Sequence, residues 1–120
     1  MTIITLYRPV GQKELDLIAE SGFKRFPPRL SGQPIFYPVV NREYAEQIAR
    51  DWNTRDEQSG FAGYVTEFSV DAAYLSSFEV KKVGGAGHLE YWIPAEELDN
   101  FNRHIQGTIK VIARFERNDR

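Results

Sequence analysis

Apolar positions along this chain keep two rhythms. In FAGYVTEFSV (61–70) they alternate, so Ala62, Tyr64, Thr66, Phe68 and Val70 share one side of a strand, the more apolar one. TIITLY (2–7) is rich in β-branched residues and reads as a first strand that stops near Arg8-Pro9. GQKELDLIAESGF (11–23) changes rhythm. Leu15, Ile18 and Ala19 recur at helical spacing, and Gly22 stands where a helix ends. KRFPPRLSGQP (24–34) is a proline-rich loop, and IFYPVV (35–40) a short apolar run. Asn41 then caps a predicted helix with Tyr44, Ala45, Ile48, Ala49 and Trp52 on one stripe. NTRDEQSG (53–60) breaks the pattern, and DAAYLSSF (71–78) reads as a helical turn. EVKKV (79–83) and HLEYWI (88–93) read as strands joined across glycines, PAEELDNF (94–101) as a short helix, TIKVIARFE (108–116) as a last strand and RNDR as a frayed tail. The order, β-α-β-α and then mostly β, predicts an α+β domain with helices beside a largely antiparallel sheet.

Composition narrows the functions open to such a domain. The 120 residues suit a single domain, 1–120, and 42% hydrophobic content supplies a core. A net charge of -2 gives no global attraction to nucleic acid or to an anionic membrane. With no cysteine there is neither a disulfide nor a thiolate nucleophile, which fits a cytoplasmic protein. The first residues lack the basic-then-apolar pattern of a secretory signal, and no apolar stretch is long enough to span a bilayer.

The candidate chemistry gathers around VGGAGHLEYWIPAEEL (83–98). On a strand, His88, Glu90 and Trp92 point to one side and Leu89, Tyr91 and Ile93 to the other, which is the core side. Glu90 then has two readings: an ordinary solvent-facing carboxylate, or one that stabilises a cation or takes a proton. The GGAG run lacks the residues of a nucleotide loop and precedes a strand, so a hairpin turn is its default reading. Arg8, at a strand end, is either a bidentate clamp for phosphate or carboxylate, or the partner of a nearby acid. Alternation sends Phe36 and Tyr37 to opposite faces, one to the core and the other to a surface that can stack on a ligand. His88 and His104, the two histidines, are too far apart to form a metal motif, and no metal is expected. Lys24, Arg25 and Arg29, grouped with Phe26, are either a solvated loop or a contact for an anion.

Three of these segments, in order, resemble the motifs of ADP-ribosyltransferases. LYRPVG is similar to their first strand, which ends in Arg in one branch. PIFYPVVNREYAEQIA resembles their second motif, a strand leading into a helix of the tyrosine-alanine kind. HLEYWIPAEEL resembles the strand that carries the catalytic glutamate. The whole chain looks like a group of small bacterial proteins labelled ADP-ribosylation/crystallin-like. The resemblance implies a split antiparallel β-sheet sandwich with two main helices and NAD in its cleft. It makes Glu90 the catalytic residue, Arg8 the contact to NAD phosphate or ribose, and Phe36, in preference to Tyr37, the ring against nicotinamide. His88 and Trp92 fall where an acceptor is met. The chain departs from the family at FYP, which replaces a Ser-Thr-Ser signature, and at His88, where arginine-modifying members carry Glu or Gln. The implied function is ADP-ribose transfer to an unidentified acceptor, a protein among the candidates, or NAD hydrolysis. The alternative is a non-catalytic nucleotide- or protein-binding module on the same fold. Neither membrane nor nucleic acid is an expected partner.

Overall fold

The two rhythms become strands and helices packed face to face in a computed structural model that describes residues 2–84 and 88–117. Along the chain the elements are β1 (Ile3–Val10), α1 (Gln12–Glu20), β2 (Ile35–Phe36), α2 (Arg42–Asp51), β3 (Ala62–Asp71), α3 (Ala72–Leu75), β4 (Val80–Lys82), β5 (Leu89–Tyr91), β6 (Ile93–Pro94), α4 (Leu98–Arg103) and β7 (Ile105–Glu116). Short 3₁₀ turns at Asn53–Arg55 and Glu57–Ser59 join α2 to β3. The domain is α+β, and every strand pairing is antiparallel.

β3 lies between β1 and β7, while β4 and β5 form the predicted hairpin. Its loop residues Gly85, Ala86 and Gly87 lie outside the described residues, as does the tail from Asn118. One residue joins the two pieces of sheet. Val39 bridges Tyr7 of β1 on one side and Glu90 of β5 on the other. The Tyr7 and Val39 main chains exchange hydrogen bonds of 2.9 and 2.7 Å.

β1 does not stop at Arg8-Pro9, as the sequence predicts, but stays paired with β3 through Val10. The reason is which way the missing N–H would point. Tyr7 N–H points away from β3, toward Val39, so by alternation the nitrogen of Pro9 also faces away from β3. Pro9 therefore leaves the β3 ladder intact and ends pairing on the other side. There the chain around Tyr37 leaves β1, and a cavity opens.

The apolar side of β3 is the predicted one: Ala62, Tyr64, Thr66, Phe68 and Val70 are all buried. Against it packs an aromatic cluster of Phe26, Phe36, Phe68 and Phe101, with ring centroids 4.8–6.1 Å apart. Each such ring contributes roughly 1.5–3 kcal/mol by leaving water. Phe26 belongs to this core and not to a basic surface patch. Its backbone is clamped by the Asn102 side chain, which donates to Phe26 O at 3.0 Å and accepts from Phe26 N at 2.9 Å.

α2 covers the opposite side of the sheet. Asn41 caps it as predicted, its Oδ1 accepting from Tyr44 N at 2.8 Å. Ala45 and Ala49 are fully buried, and Gly63 of β3 lets the helix approach closely. Trp52 leaves the predicted stripe. The helix ends at Asp51, and the indole is 68% exposed at the mouth of the cavity. Among the described residues no helix is long and apolar enough to cross a membrane.

Candidate functional site

The Glu90 row begins with main-chain geometry. Val39 pairs with both Tyr7 and Glu90, so these three side chains share the α2 side of the sheet. His88 and Trp92, two residues either way from Glu90, fall on that side too, while Tyr91 and Ile93 enter the core. The predicted alternation of this strand holds. Its polar side is not simply solvent-facing, however: Tyr44, reaching from α2, and Trp92 both bond Glu90, which is only 8% exposed.

Each oxygen of the Glu90 carboxylate receives one neutral donor. Trp92 Nε1 donates to Oε1 at 2.8 Å, and the Tyr44 hydroxyl donates to Oε2 at 3.2 Å. The Tyr44 ring is held in turn by a stack on His88, with centroids 4.3 Å apart and planes 7° from parallel. Burial and the adjacent Glu90 charge both raise the Tyr44 pKa, so at neutral pH the phenol remains a donor. Among the described residues no cation lies within 4 Å of the Glu90 carboxylate. Lys81, opposite Glu90 on β4, is paired with Glu79 and lies 5.7 Å from the centre of the Trp92 ring.

Glu90 opens on a cavity of about 500 Å³ whose wall includes Tyr37, Tyr44, Trp52, Trp92 and Arg8. Tyr37 is 37% and Trp92 41% exposed, and their rings meet edge to face at 5.9 Å. Phe36 is not the ring at this cavity. It is 1% exposed and enclosed by Phe26, Phe101 and the Arg8 guanidinium, which sits 4.6 Å above it. The expected division of this pair into one core and one surface aromatic holds, but the ring at the cavity is Tyr37 and not the preferred Phe36.

Arg8 borders the same cavity, yet its head group is committed elsewhere. It alternates with Tyr7 along β1 and so points to the far side of the sheet from Glu90. There Nε and Nη2 bind the two carboxylate oxygens of Glu14, at 2.6 and 2.9 Å. This is the acid-partner reading of Arg8, with α1 supplying the acid. A part-buried, bidentate pair of this kind fixes the start of α1 against β1.

Tyr44, Glu14 and Asn53 take part in the site or its surroundings without standing out in the sequence. Tyr44 occupies a position that helical spacing assigns to packing, and only the docking of α2 on the sheet of β1, β3 and β7 brings its hydroxyl to Glu90. Arg29 leaves its loop neighbours Lys24 and Arg25, which lie by Asp99 and Arg103 instead. The chain matches no known protein-family model, no curated protein and no solved structure.

Proposed function

We propose that this protein is an ADP-ribosyltransferase-like domain that binds NAD and breaks its nicotinamide–ribose bond. The released ADP-ribose passes to an acceptor or to water. The observation that carries this reading is the Glu90 carboxylate: buried, held by two neutral donors, and set in a cavity rimmed by exposed aromatic rings. Neutral donors fix the carboxylate without cancelling its charge. When the C1′–N bond breaks, its electron pair leaves with nicotinamide, and positive charge develops on the ribose. A fixed carboxylate stabilises that charge and accepts a hydrogen bond from a ribose hydroxyl. Tyr37 and Trp92 offer flat surfaces to the departing ring. The incoming acceptor oxygen or nitrogen gives its pair to C1′ and loses its proton to solvent or to Glu90.

His88 and Trp92 differ as acceptor contacts. One face of the His88 ring is covered by Tyr44, whereas Trp92 is open at the mouth. The test is nicotinamide release from NAD by wild type and Glu90→Gln. Release that is abolished by the substitution supports the reading, and equal rates remove Glu90 from the mechanism.

One observation favours a second reading, a nucleotide-binding module without turnover. Arg8, the arginine that the family resemblance assigns to NAD, is bound to Glu14 on the other side of the sheet. Calorimetry separates the two readings. Binding of NAD with no nicotinamide release selects the module.

A further inference from the structure

A second crevice, of about 580 Å³, adjoins the Glu90 cavity, and Arg8, Pro9, Trp52 and Asn53 belong to the walls of both. Three cations, Arg8, Lys13 and Arg29, and two acids, Glu14 and Asp56, line it. The acids are already engaged. Glu14 holds Arg8. Asp56 accepts from Gln58 N at 3.1 Å and from Ser59 Oγ at 2.9 Å, capping a 3₁₀ turn. Arg29 is half-buried, and its Nε donates to Ile35 O at 3.1 Å. Among the described residues no carboxylate lies within 4 Å of it. Burial and then the nearby Arg8 charge hold its pKa below the ordinary arginine value, with Glu14, already bound to Arg8, offsetting only part of this. A cation in such a position is stabilised by an anion from outside the chain.

The start of α1 adds to this field. Gly11 is the N-cap and supplies no side-chain oxygen to the first turn. Packing dictates the glycine, because a Cβ there would lie 2.5 Å from Ser59 Cα. Gly11, Lys13 and Glu14 all line the crevice, so the positive end of the helix is at its wall.

Asn53 contributes the opposite polarity. It is 8% exposed, and its Nδ2 donates to Ser59 Oγ at 2.9 Å. The Ser59 hydroxyl hydrogen is spent on Asp56, so Ser59 can only accept from Asn53. That fixes which way the amide points. It leaves Oδ1 buried without a donor among the described residues. An unmatched buried acceptor destabilises the fold, and a ligand hydroxyl would remove that cost. Oδ1 is covered, so engaging it entails a local shift of the crevice wall.

We propose that this crevice binds a phosphorylated ribose, with the phosphate on Arg29 and the start of α1 and a sugar hydroxyl donating to Asn53 Oδ1. The inference rests on the dinucleotide reading only for its choice of probe. It assigns the anion to Arg29, since Arg8 is occupied.

The test is calorimetry on the full chain with ADP-ribose, ribose 5-phosphate and inorganic pyrophosphate, alongside thermal melts. Wild type is expected to bind all three, ADP-ribose most tightly. Arg29→Ala should weaken each by about tenfold, the worth of one charge-assisted hydrogen bond, and Arg29→Lys should restore part of the loss. Asn53→Ala should weaken the two sugar phosphates several-fold and leave pyrophosphate unchanged. Absence of binding to wild type overturns the proposal, as does wild-type affinity in a folded Arg29→Ala protein. Wild-type affinity for ribose 5-phosphate in Asn53→Ala overturns the hydroxyl assignment. Arg29-dependent binding of ADP-ribose without NAD cleavage would sink the catalytic reading and leave this one standing. NAD cleavage that ignores Arg29 would do the reverse.

Discussion

Glu90 and Glu97 sit in two clusters built from the same three residue types. Tyr44 donates to Glu90 and stacks on His88, and Tyr74 donates to Glu97 at 2.8 Å and stacks on His104 at 3.9 Å, with planes 6° apart. Both phenols have raised pKa values, for the same two reasons, burial and a carboxylate. The environments differ. Glu97 lies on a 3₁₀ turn, takes a further hydrogen bond of 3.3 Å from Asn100, and anchors α4 to α3. Glu90 has an indole donor in place of that amide and opens on a cavity. A tyrosine and a histidine around a glutamate are therefore a packing device that this chain uses twice. The functional claim for Glu90 stands on what only its cluster has: the cavity, the exposed rings beside it and the deeper burial.

The largest effect that separates the two clusters comes from the helix beneath one of them. A methyl group at Gly63 would lie 2.2 Å from the Ala49 carbonyl oxygen, so Gly63→Ala must push α2, and Tyr44 with it, away from the sheet. We expect a stability loss of about 1–3 kcal/mol in urea unfolding. In NMR spectra the His88 ring signals should move while those of His104 stay in place. Unmoved His88 signals would mean that α2 does not set the Glu90 cluster.

Removing one hydroxyl at a time is milder. Tyr44→Phe and Tyr74→Phe should each cost about 1 kcal/mol, the net worth of a typical hydrogen bond. The kinetic effects should diverge. Nicotinamide release should slow in Tyr44→Phe and remain at the wild-type rate in Tyr74→Phe. Equal slowing would point to a global effect of stability.

The smallest expected effect is alkaline. Tyr7, Tyr44 and Tyr74 all have pKa values raised above the ordinary 10.0 in the folded chain. The folded state holds these protons more tightly than the unfolded one. Their contribution is thus complete below pH about 10 and is lost as pH rises through the folded values. Urea midpoints measured upward from pH 9 should fall, and the fall should be shallower in Tyr74→Phe. A flat profile would show that neither burial nor the neighbouring carboxylates raise these phenols.

Much of this arrangement is legible in the sequence where one element decides it. Alternation in 61–70 gives the buried side of β3, and the pattern from His88 to Ile93 gives the side Glu90 shares with Trp92. Asn41 marks the start of α2. What the sequence leaves open depends on two elements meeting. The neighbours that enclose Glu90 come from separate segments, Tyr44 from α2 and Trp92 from the chain after β5. The choice between Phe36 and Tyr37 comes from how Phe26 and Phe101 close over one of them. Arg8 finds its acid six residues on, across the turn into α1, which strand spacing cannot show. The path of β1 past Pro9 depends on which flank carries a neighbour, a property of the sheet and not of the strand.

The central claim is that Glu90 acts on a ligand and Glu97 acts on the fold. Parallel assays of nicotinamide release from NAD by Glu90→Gln and Glu97→Gln, with melting temperatures on the same samples, test it most directly. The account predicts that Glu90→Gln loses roughly a hundredfold or more in rate, the scale of a lost electrostatic contact to a transition state, while folding is retained. Glu97→Gln should lower the melting temperature and keep the wild-type rate at a temperature where it is folded. Equal rates in wild type and Glu90→Gln, or no release from wild type at all, would contradict it.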